Sequence, residues 1–186
     1  MQWITNASPR LKARAAGFFW LLTIVGGSLA LFLGGGLGFA ANRMATVSYV
    51  LAAVLVYYLL KPVNKPFSLV AAACGVIGCA IGVAQGYVEM NGQVNFVFFG
   101  LHVFLVGYLI LRSTFLPRSV GGLMVFGGLS WLTMGLSSLL SPSSAASLDP
   151  YIMFPGILAE TALTVWLLVK GVHVARWEEQ AAVRRA

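Results

Sequence analysis

Glu160 and His102 are the two residues of this sequence whose types and positions could support proton chemistry inside a membrane. Glu160 is the acidic residue that long apolar stretches flank on both sides. A carboxylate in hydrocarbon is costly unless it is protonated, paired or turned towards a cavity, so we interpret it as a site candidate. His102 lies in another apolar stretch, where an intramembrane His is either a structural hydrogen-bonding residue or part of a site.

Two polar residues share helix faces with this pair. Asn95 precedes His102 by seven residues, and Thr164 follows Glu160 by four residues, spacings that place side chains on one face of a helix. Glu160 and His102 are each expected near mid-membrane, roughly 12–14 Å below the outer edge at about 1.5 Å of rise per residue. A contact between them is therefore geometrically allowed, provided that their helices are neighbours.

Three further residues are expected towards the outer half of the bundle. Gln85 falls on the glycine side of its helix, with Glu89 one turn further out, and Arg43 could reach Glu89 or Glu160 along the surface of its own helix. For Gln85 and Thr164 packing is the simpler interpretation, and for Arg43 an interfacial anchor. The full candidate cluster is His102, Glu160, Arg43, Gln85, Asn95, Glu89 and Thr164.

The state of Glu160 is open between two alternatives. It is either neutral, because burial disfavours the charge, or paired with His102 or Arg43. A Glu160→Gln change should be mild if the side chain is neutral.

Most known chemistries lack their motifs here. The sequence has no GxSxG, HExxH or CxxC motif and no Walker loop, and the glycine block at 34–38 lacks the Lys and Ser/Thr of a phosphate loop. His173 is expected at the inner membrane edge, too far from His102 for a bis-His haem, and a metal at His102 and Glu160 lacks further ligands. Cys74 and Cys79 point apart on a helix and are read as packing residues. We assign no catalytic residue and no metal site, and the cofactor is unknown.

The composition is that of a membrane protein. Of 186 residues, 59% are hydrophobic and only 9% are charged, against about 25% charged in soluble domains. We predict an all-α, polytopic membrane protein, one domain over 1–186, with six transmembrane helices in a bundle. The expected helices span about 15–36, 42–60, 67–88, 94–111, 120–140 and 151–172, the first of them a retained signal anchor.

Turn signals separate these helices. The glycine block at 34–38 gives the first turn, and two prolines within 61–66 mark a firm helix boundary. Residues 141–150 are read as a polar loop, and 176–180 as a short helix at the membrane surface. Glycines at 78, 82 and 86 form a small-residue seam for close packing, either within the chain or against a partner.

The basic residues indicate the orientation. With six spans, all of them except Arg43 fall on the side that holds both termini. The positive-inside rule places that side in the cytoplasm. Anionic lipid headgroups are a sufficient partner for the net charge of +7, so nucleic acid is not expected.

Several motifs resemble the domain-of-unknown-function 4386 family of small bacterial integral membrane proteins. They are LKPVNK at 60–65, LRS at 111–113 with FLPR at 115–118, and WLLVKGV at 166–172 followed by RW at 176–177. The stretches LLTIVGG at 21–27 and GLH at 100–102 are also similar. The resemblance covers nearly the whole chain and implies a multi-helix protein of the bacterial inner membrane without an established activity.

The resemblance also bears on the site. It implies a His on the fourth helix, here His102, and a Gly-Glu pair on the sixth, which stands here as Ala159-Glu160. The first outer connection is shorter than in relatives and lacks an acidic residue often found there. This departure weakens any role for an outer loop in binding.

The leading functional prediction is a small non-enzymatic protein that binds a ligand in the polar cluster or serves as an accessory subunit of a membrane assembly. The alternative is a small-solute or proton-linked transporter that uses Glu160 and His102. An intramembrane enzyme ranks third because no nucleophile is evident. The expected partners are membrane lipids and further chains, either in a homo-oligomer or in a larger membrane complex.

Overall fold

The structure is a computed structural model that describes residues 7–88 and 93–184, with the backbone alone for 142–150. Glu89, one of the predicted cluster residues, lies outside the described part. The described residues form helices without any strand, which confirms the all-α prediction. Six of the helices are long and apolar enough to cross a membrane, as predicted.

The described residues form seven helices that follow one another along the chain. They are α1 (Pro9–Leu33), α2 (Gly35–Leu60), α3 (Lys65–Ala84), α4 (Val94–Arg112), α5 (Arg118–Leu140), α6 (Pro142–Val169) and α7 (Val174–Val183). The membrane-spanning part of α6 is Tyr151–Val169. We call the end where α1 begins and α2 finishes the basic end.

Capping residues explain two helix starts that differ from the sequence-based bounds. The Ser8 hydroxyl accepts a hydrogen bond from the Leu11 amide, and Pro9 opens α1, so this helix starts earlier than predicted. The Asn64 side chain accepts from the Phe67 amide in the same way, and α3 therefore starts at Lys65.

The predicted loops are shorter in the structure than in the sequence analysis. Only Gly34, at φ 58°, separates α1 from α2. One residue is enough for this turn because glycine adopts a left-handed backbone without steric cost. The stretch 142–150, predicted as a polar loop, continues α6 in helical backbone. At the other end, α6 finishes at Val169, ahead of Gly171 at φ 68°.

The six long helices form a closed ring. Each one packs against the next along the chain, and α6 packs against α1 to complete the circuit. Helix α5 therefore stands between α4 and α6, while α2 also touches α4 across the interior. The ring directs one side chain from each of several helices towards a shared centre near the middle of the spans.

Glycines bring α4 and α5 into very close contact. A Cβ at Gly100 would lie 2.5 Å from the Leu132 nitrogen, and one at Gly107 would lie 2.5 Å from the Val125 nitrogen. Side chains at these positions would separate the two backbones, so glycine is required for the observed approach.

The glycine seam of α3 also faces inwards. Gly75 lies against His102 and Gly78 lies against Phe99, both on α4. Of the two alternatives that the sequence left open for the seam, packing within the chain is the one realised at these positions.

The predicted surface helix is α7, and it is anchored at the basic end. Trp177 Nε1 donates to the Leu59 carbonyl at 2.8 Å, which holds α7 under the end of α2. Gln180 Oε1 accepts from the Thr114 amide at 3.1 Å, which ties α7 to the turn between α4 and α5.

Candidate functional site

The Glu160 carboxyl group joins three helices at the centre of the ring. Trp20 Nε1 on α1 donates to one of its oxygens at 2.7 Å, and Trp131 Nε1 on α5 donates to the other at 2.7 Å. Glu160 itself is on α6 and is only 9% exposed. Both oxygens of a costly intramembrane acid are therefore hydrogen-bonded, and both donors come from neighbouring helices.

The surroundings of Trp131 explain how its indole reaches the acid. Gly156 precedes Glu160 by about one turn, and a Cβ there would lie 2.5 Å from Cε2 and 2.6 Å from Nε1 of Trp131. The missing side chain at Gly156 provides the space for the indole. On its other face, Trp131 stacks on Phe96 of α4 at a centroid separation of 5.2 Å and an angle of 15°.

His102 contacts Trp20, one of the two indoles that donate to the acid. It is 1% exposed, and its Nδ1 lies 2.7 Å from the Ala71 carbonyl on α3. Because a carbonyl oxygen only accepts, this contact requires the imidazole proton on Nδ1. The bond connects α4 to α3 through Nδ1, and the second ring nitrogen, Nε2, takes no part in it.

Trp20, Tyr49 and His102 form a triangle of rings. Their centroids are 5.8 Å apart for Trp20 and Tyr49, 5.8 Å for Trp20 and His102, and 5.4 Å for Tyr49 and His102. Separations of about 4.5–7 Å are typical of favourable aromatic pairs. The Trp20 indole is thus in contact with both the acid and the imidazole.

Three buried polar atoms of this region have no hydrogen-bonding partner among the described residues. They are His102 Nε2, the Tyr49 hydroxyl and the Thr164 hydroxyl. Buried polar atoms are usually satisfied, so each such atom calls for an explanation. Thr164 is 1% exposed.

The structure does not pair Glu160 with either cation that the sequence suggested. The acid is hydrogen-bonded by the two indoles, His102 bonds to Ala71, and the Arg43 guanidinium lies 4.5 Å from the Phe39 ring and 5.5 Å from the Tyr87 ring. His102 does not pair with the acid because its Nδ1 bonds to the Ala71 carbonyl, while the indoles of Trp20 and Trp131 occupy both oxygens of Glu160. The neutral form of Glu160 stays a prediction.

The remaining predicted residues lie away from the acid. Asn95 lies beside Gly82, with its Nδ2 3.6 Å from the site of a Cβ there. Gln85 is the C-cap of α3 and is partly buried. Arg43 Nη2 lies close to Gly86, 3.3 Å from the site of its missing Cβ. These three form a separate region near the far end of α3, opposite the basic end.

Sequence reasoning missed Trp20, Trp131 and Tyr49. A usable signal existed, because tryptophans of membrane helices are enriched at the interfaces, whereas Trp20 and Trp131 fall well inside apolar spans. A buried indole N–H also needs an acceptor. The acid and the two indoles could have been matched as one acceptor group and two donors.

Comparison with known proteins gives a family match for part of the chain. Residues 89–171 match the family model described as Domain of unknown function (DUF4386). The match confirms the resemblance over these residues, and the matched stretch contains His102, Trp131 and Glu160.

A relative from Archaeoglobus fulgidus carries the name "Uncharacterized protein". It is 28% identical over an alignment of 130 residues, and the alignment covers 66% of this chain and 76% of the relative. No solved structure matches the chain. These comparisons agree with a membrane protein of a family without an assigned activity.

Proposed function

We propose that this chain is a non-enzymatic integral membrane protein that acts by binding a small ligand or other chains of a membrane assembly. The observation that supports the non-enzymatic part of this proposal is the double engagement of Glu160 by Trp20 and Trp131. Glu160 is the one acid of the bundle interior among the described residues, and both of its oxygens serve a structural contact. An acid in that role holds helices together rather than reacting.

Among the described residues, the groups hydrogen-bonded to the acid do not suit an enzymatic function. They are two indoles, which are neither nucleophiles nor bases. The crevice between α2, α3 and α4 that His102 lines is too narrow to hold a water molecule, and Glu160 does not line it. Hydrolysis or proton abstraction would need a reactant beside the acid.

A proton-linked carrier is the second candidate. It is favoured by Nε2 of His102 and the Tyr49 hydroxyl, which have no hydrogen-bonding partner among the described residues and belong to rings in contact with Trp20. A proton could pass between these groups and Glu160 only if the indole bonds opened.

Proton movement into vesicles distinguishes the two candidates. The full chain is reconstituted into liposomes that contain a pH-sensitive dye, and Glu160→Gln is compared with Glu178→Gln, which removes an exposed acid of α7. The proposal expects no proton movement that depends on Glu160. Proton movement that Glu160→Gln abolishes and Glu178→Gln retains would replace the proposal with the carrier.

Purification from native membranes tests the binding role itself. In a mild detergent we expect a lipid, another small molecule or a further protein chain to remain bound. A clean monomer without any bound molecule would contradict the proposal.

We further propose that the protein lies in a bacterial cytoplasmic membrane with both termini in the cytoplasm. Lys12, Lys61, Arg112, Arg118 and Lys170 all lie near the basic end, which supports this orientation under the positive-inside rule.

A further inference from the structure

A cavity of about 530 Å³ opens at the basic end, and we call it the basic-end pocket. Four cationic side chains line it, from Lys12, Lys61, Lys65 and Arg184. Its described lining residues include no acid. A pocket with four like charges attracts an anion, because an anion relieves the repulsion among them.

Lys12 makes this pocket unusual for a membrane-surface cluster. Its side chain is only 5% exposed, although most lysines reach into water. Its ammonium lies 5.6 Å from the centre of the Trp177 ring. Lys61, which lines the same pocket, is close enough to repel it. The pocket is therefore positively charged both in its interior and at its rim.

The pocket wall is held in place by the fold. Trp177 lines the pocket and is fixed by its hydrogen bond to the Leu59 carbonyl, 2.8 Å long. Tyr58 forms a second aromatic wall near the end of α2. Tyrosine and tryptophan at the ends of spans lie at the level of lipid headgroups. The pocket thus combines a cationic interior with amphipathic walls at headgroup depth.

A second cavity at the same end serves as a comparison. It is about 680 Å³ and is lined by Arg118, Arg176 and Glu179, among others. Here a carboxylate offsets part of the positive charge. The basic-end pocket has the stronger attraction for an anion, and it is also the one that contains a buried lysine.

We infer that the basic-end pocket binds the phosphate group of an anionic phospholipid. The cations would contact the phosphate oxygens, and Tyr58 and Trp177 would pack against the glycerol region. Basic pockets between membrane helices bind lipid phosphates in this way. The inference rests on the proposed binding role and names its ligand class.

A lipid titration by native mass spectrometry tests this inference. Phosphatidylglycerol or phosphatidylcholine is added to the full chain in a neutral detergent, at fixed ionic strength. The test variant is Lys61→Gln with Lys65→Gln. The matched control is Arg118→Gln with Arg176→Gln, which removes two charges from the second cavity at the same end.

We expect one phosphatidylglycerol to bind in preference to phosphatidylcholine. The test variant should lose at least about tenfold in affinity, given the attraction that each basic residue adds. The control should stay within about twofold. Circular dichroism of both variants checks that they fold, and a Lys61→Arg with Lys65→Arg variant should restore binding.

Three results would overturn the inference. Equal binding of the two lipids would remove the role of charge, and equal losses in the test and control variants would indicate a diffuse surface effect. The third result is that soluble glycerol 3-phosphate binds, that the test variant loses this binding, and that phosphatidylglycerol is not preferred over phosphatidylcholine. It would assign the pocket to a free phosphate. Proton movement into vesicles is a different readout, so failure here and failure of the proposed function are distinguishable.

Discussion

At the scale of single residues, the central feature is an acid whose two oxygens are both acceptors. Trp20 and Trp131 each donate one N–H to Glu160, and neither indole carries a charge. Hydrogen bonds between membrane helices are modest, averaging about 0.6 kcal/mol in double-mutant cycles. The larger cost arises when one partner is removed and a buried group is left unsatisfied.

The Glu160→Gln variant should therefore be less stable than the native chain. Its amide offers one acceptor oxygen and turns an NH₂ group towards one of the indole N–H groups. We expect a loss of about 1–3 kcal/mol in the free energy of unfolding. Detergent-induced unfolding of the purified chain measures it, with Glu178→Gln as the surface control. Equal stability of Glu160→Gln and the native chain would contradict the structural role.

The sequence identified the costly acid but not its partners. Spacing and the helical rise predict that Glu160 and His102 lie near mid-membrane. Which side chain meets the acid depends on how the helices pack around the ring, and here Glu160 on α6 bonds to side chains of its two neighbours, α1 and α5. Trp131 is thus the neighbour of the acid, while His102 bonds to Ala71.

At the scale of helices, close packing depends on glycines at particular crossing points. Gly156 on α6 leaves room for the Trp131 indole, whereas Gly122 on α5 has nothing within 4 Å of the site of its Cβ. Changing either glycine to alanine adds one methyl group to a membrane helix, so the two positions form a matched pair.

The Gly156→Ala variant should lose stability, while Gly122→Ala should not. The added methyl at 156 would lie 2.5 Å from the Trp131 ring and displace it from Glu160, at a cost of about 1–3 kcal/mol. At 122, alanine should leave stability unchanged or raise it by up to about 1 kcal/mol, through its better helix propensity. Unfolding midpoints compare the two variants, and equal effects would argue against the glycine–indole contact.

The helices themselves were largely predictable because apolar length and proline positions determine them. The prediction failed where local backbone preferences compete with composition. Residues 142–150 looked polar enough for a loop yet continue α6, and the glycine block reduces to Gly34 between two helices. Helix order around the ring could not be predicted, since it depends on packing between distant segments.

At the scale of the whole molecule, the ring has a polar, aromatic centre and a basic end. Apolar side chains such as Phe18, Leu69, Phe126 and Val165 are exposed on its outer surface, where lipid would cover them. Helix α7 lies across the basic end and contacts α2 and the turn between α4 and α5. The basic residues of α7 and the helix ends thus lie together at one membrane surface.

A reporter fused after Ala186 tests the proposed orientation. Because the basic end should face the cytoplasm, green fluorescent protein at this position should fluoresce, and alkaline phosphatase should be inactive. If the phosphatase fusion is active and the green fluorescent protein fusion does not fluoresce, the C-terminus lies outside and the assignment is reversed.

The most direct test of the structural role of Glu160 is an NMR spectrum of the five indole N–H groups, labelled with ¹⁵N. Trp20 and Trp131 donate to the acid, whereas Trp177 donates to the Leu59 carbonyl. We predict that Glu160→Gln shifts the Trp20 and Trp131 signals and leaves the Trp177 signal in place. Unchanged Trp20 and Trp131 signals in the folded variant would contradict the account.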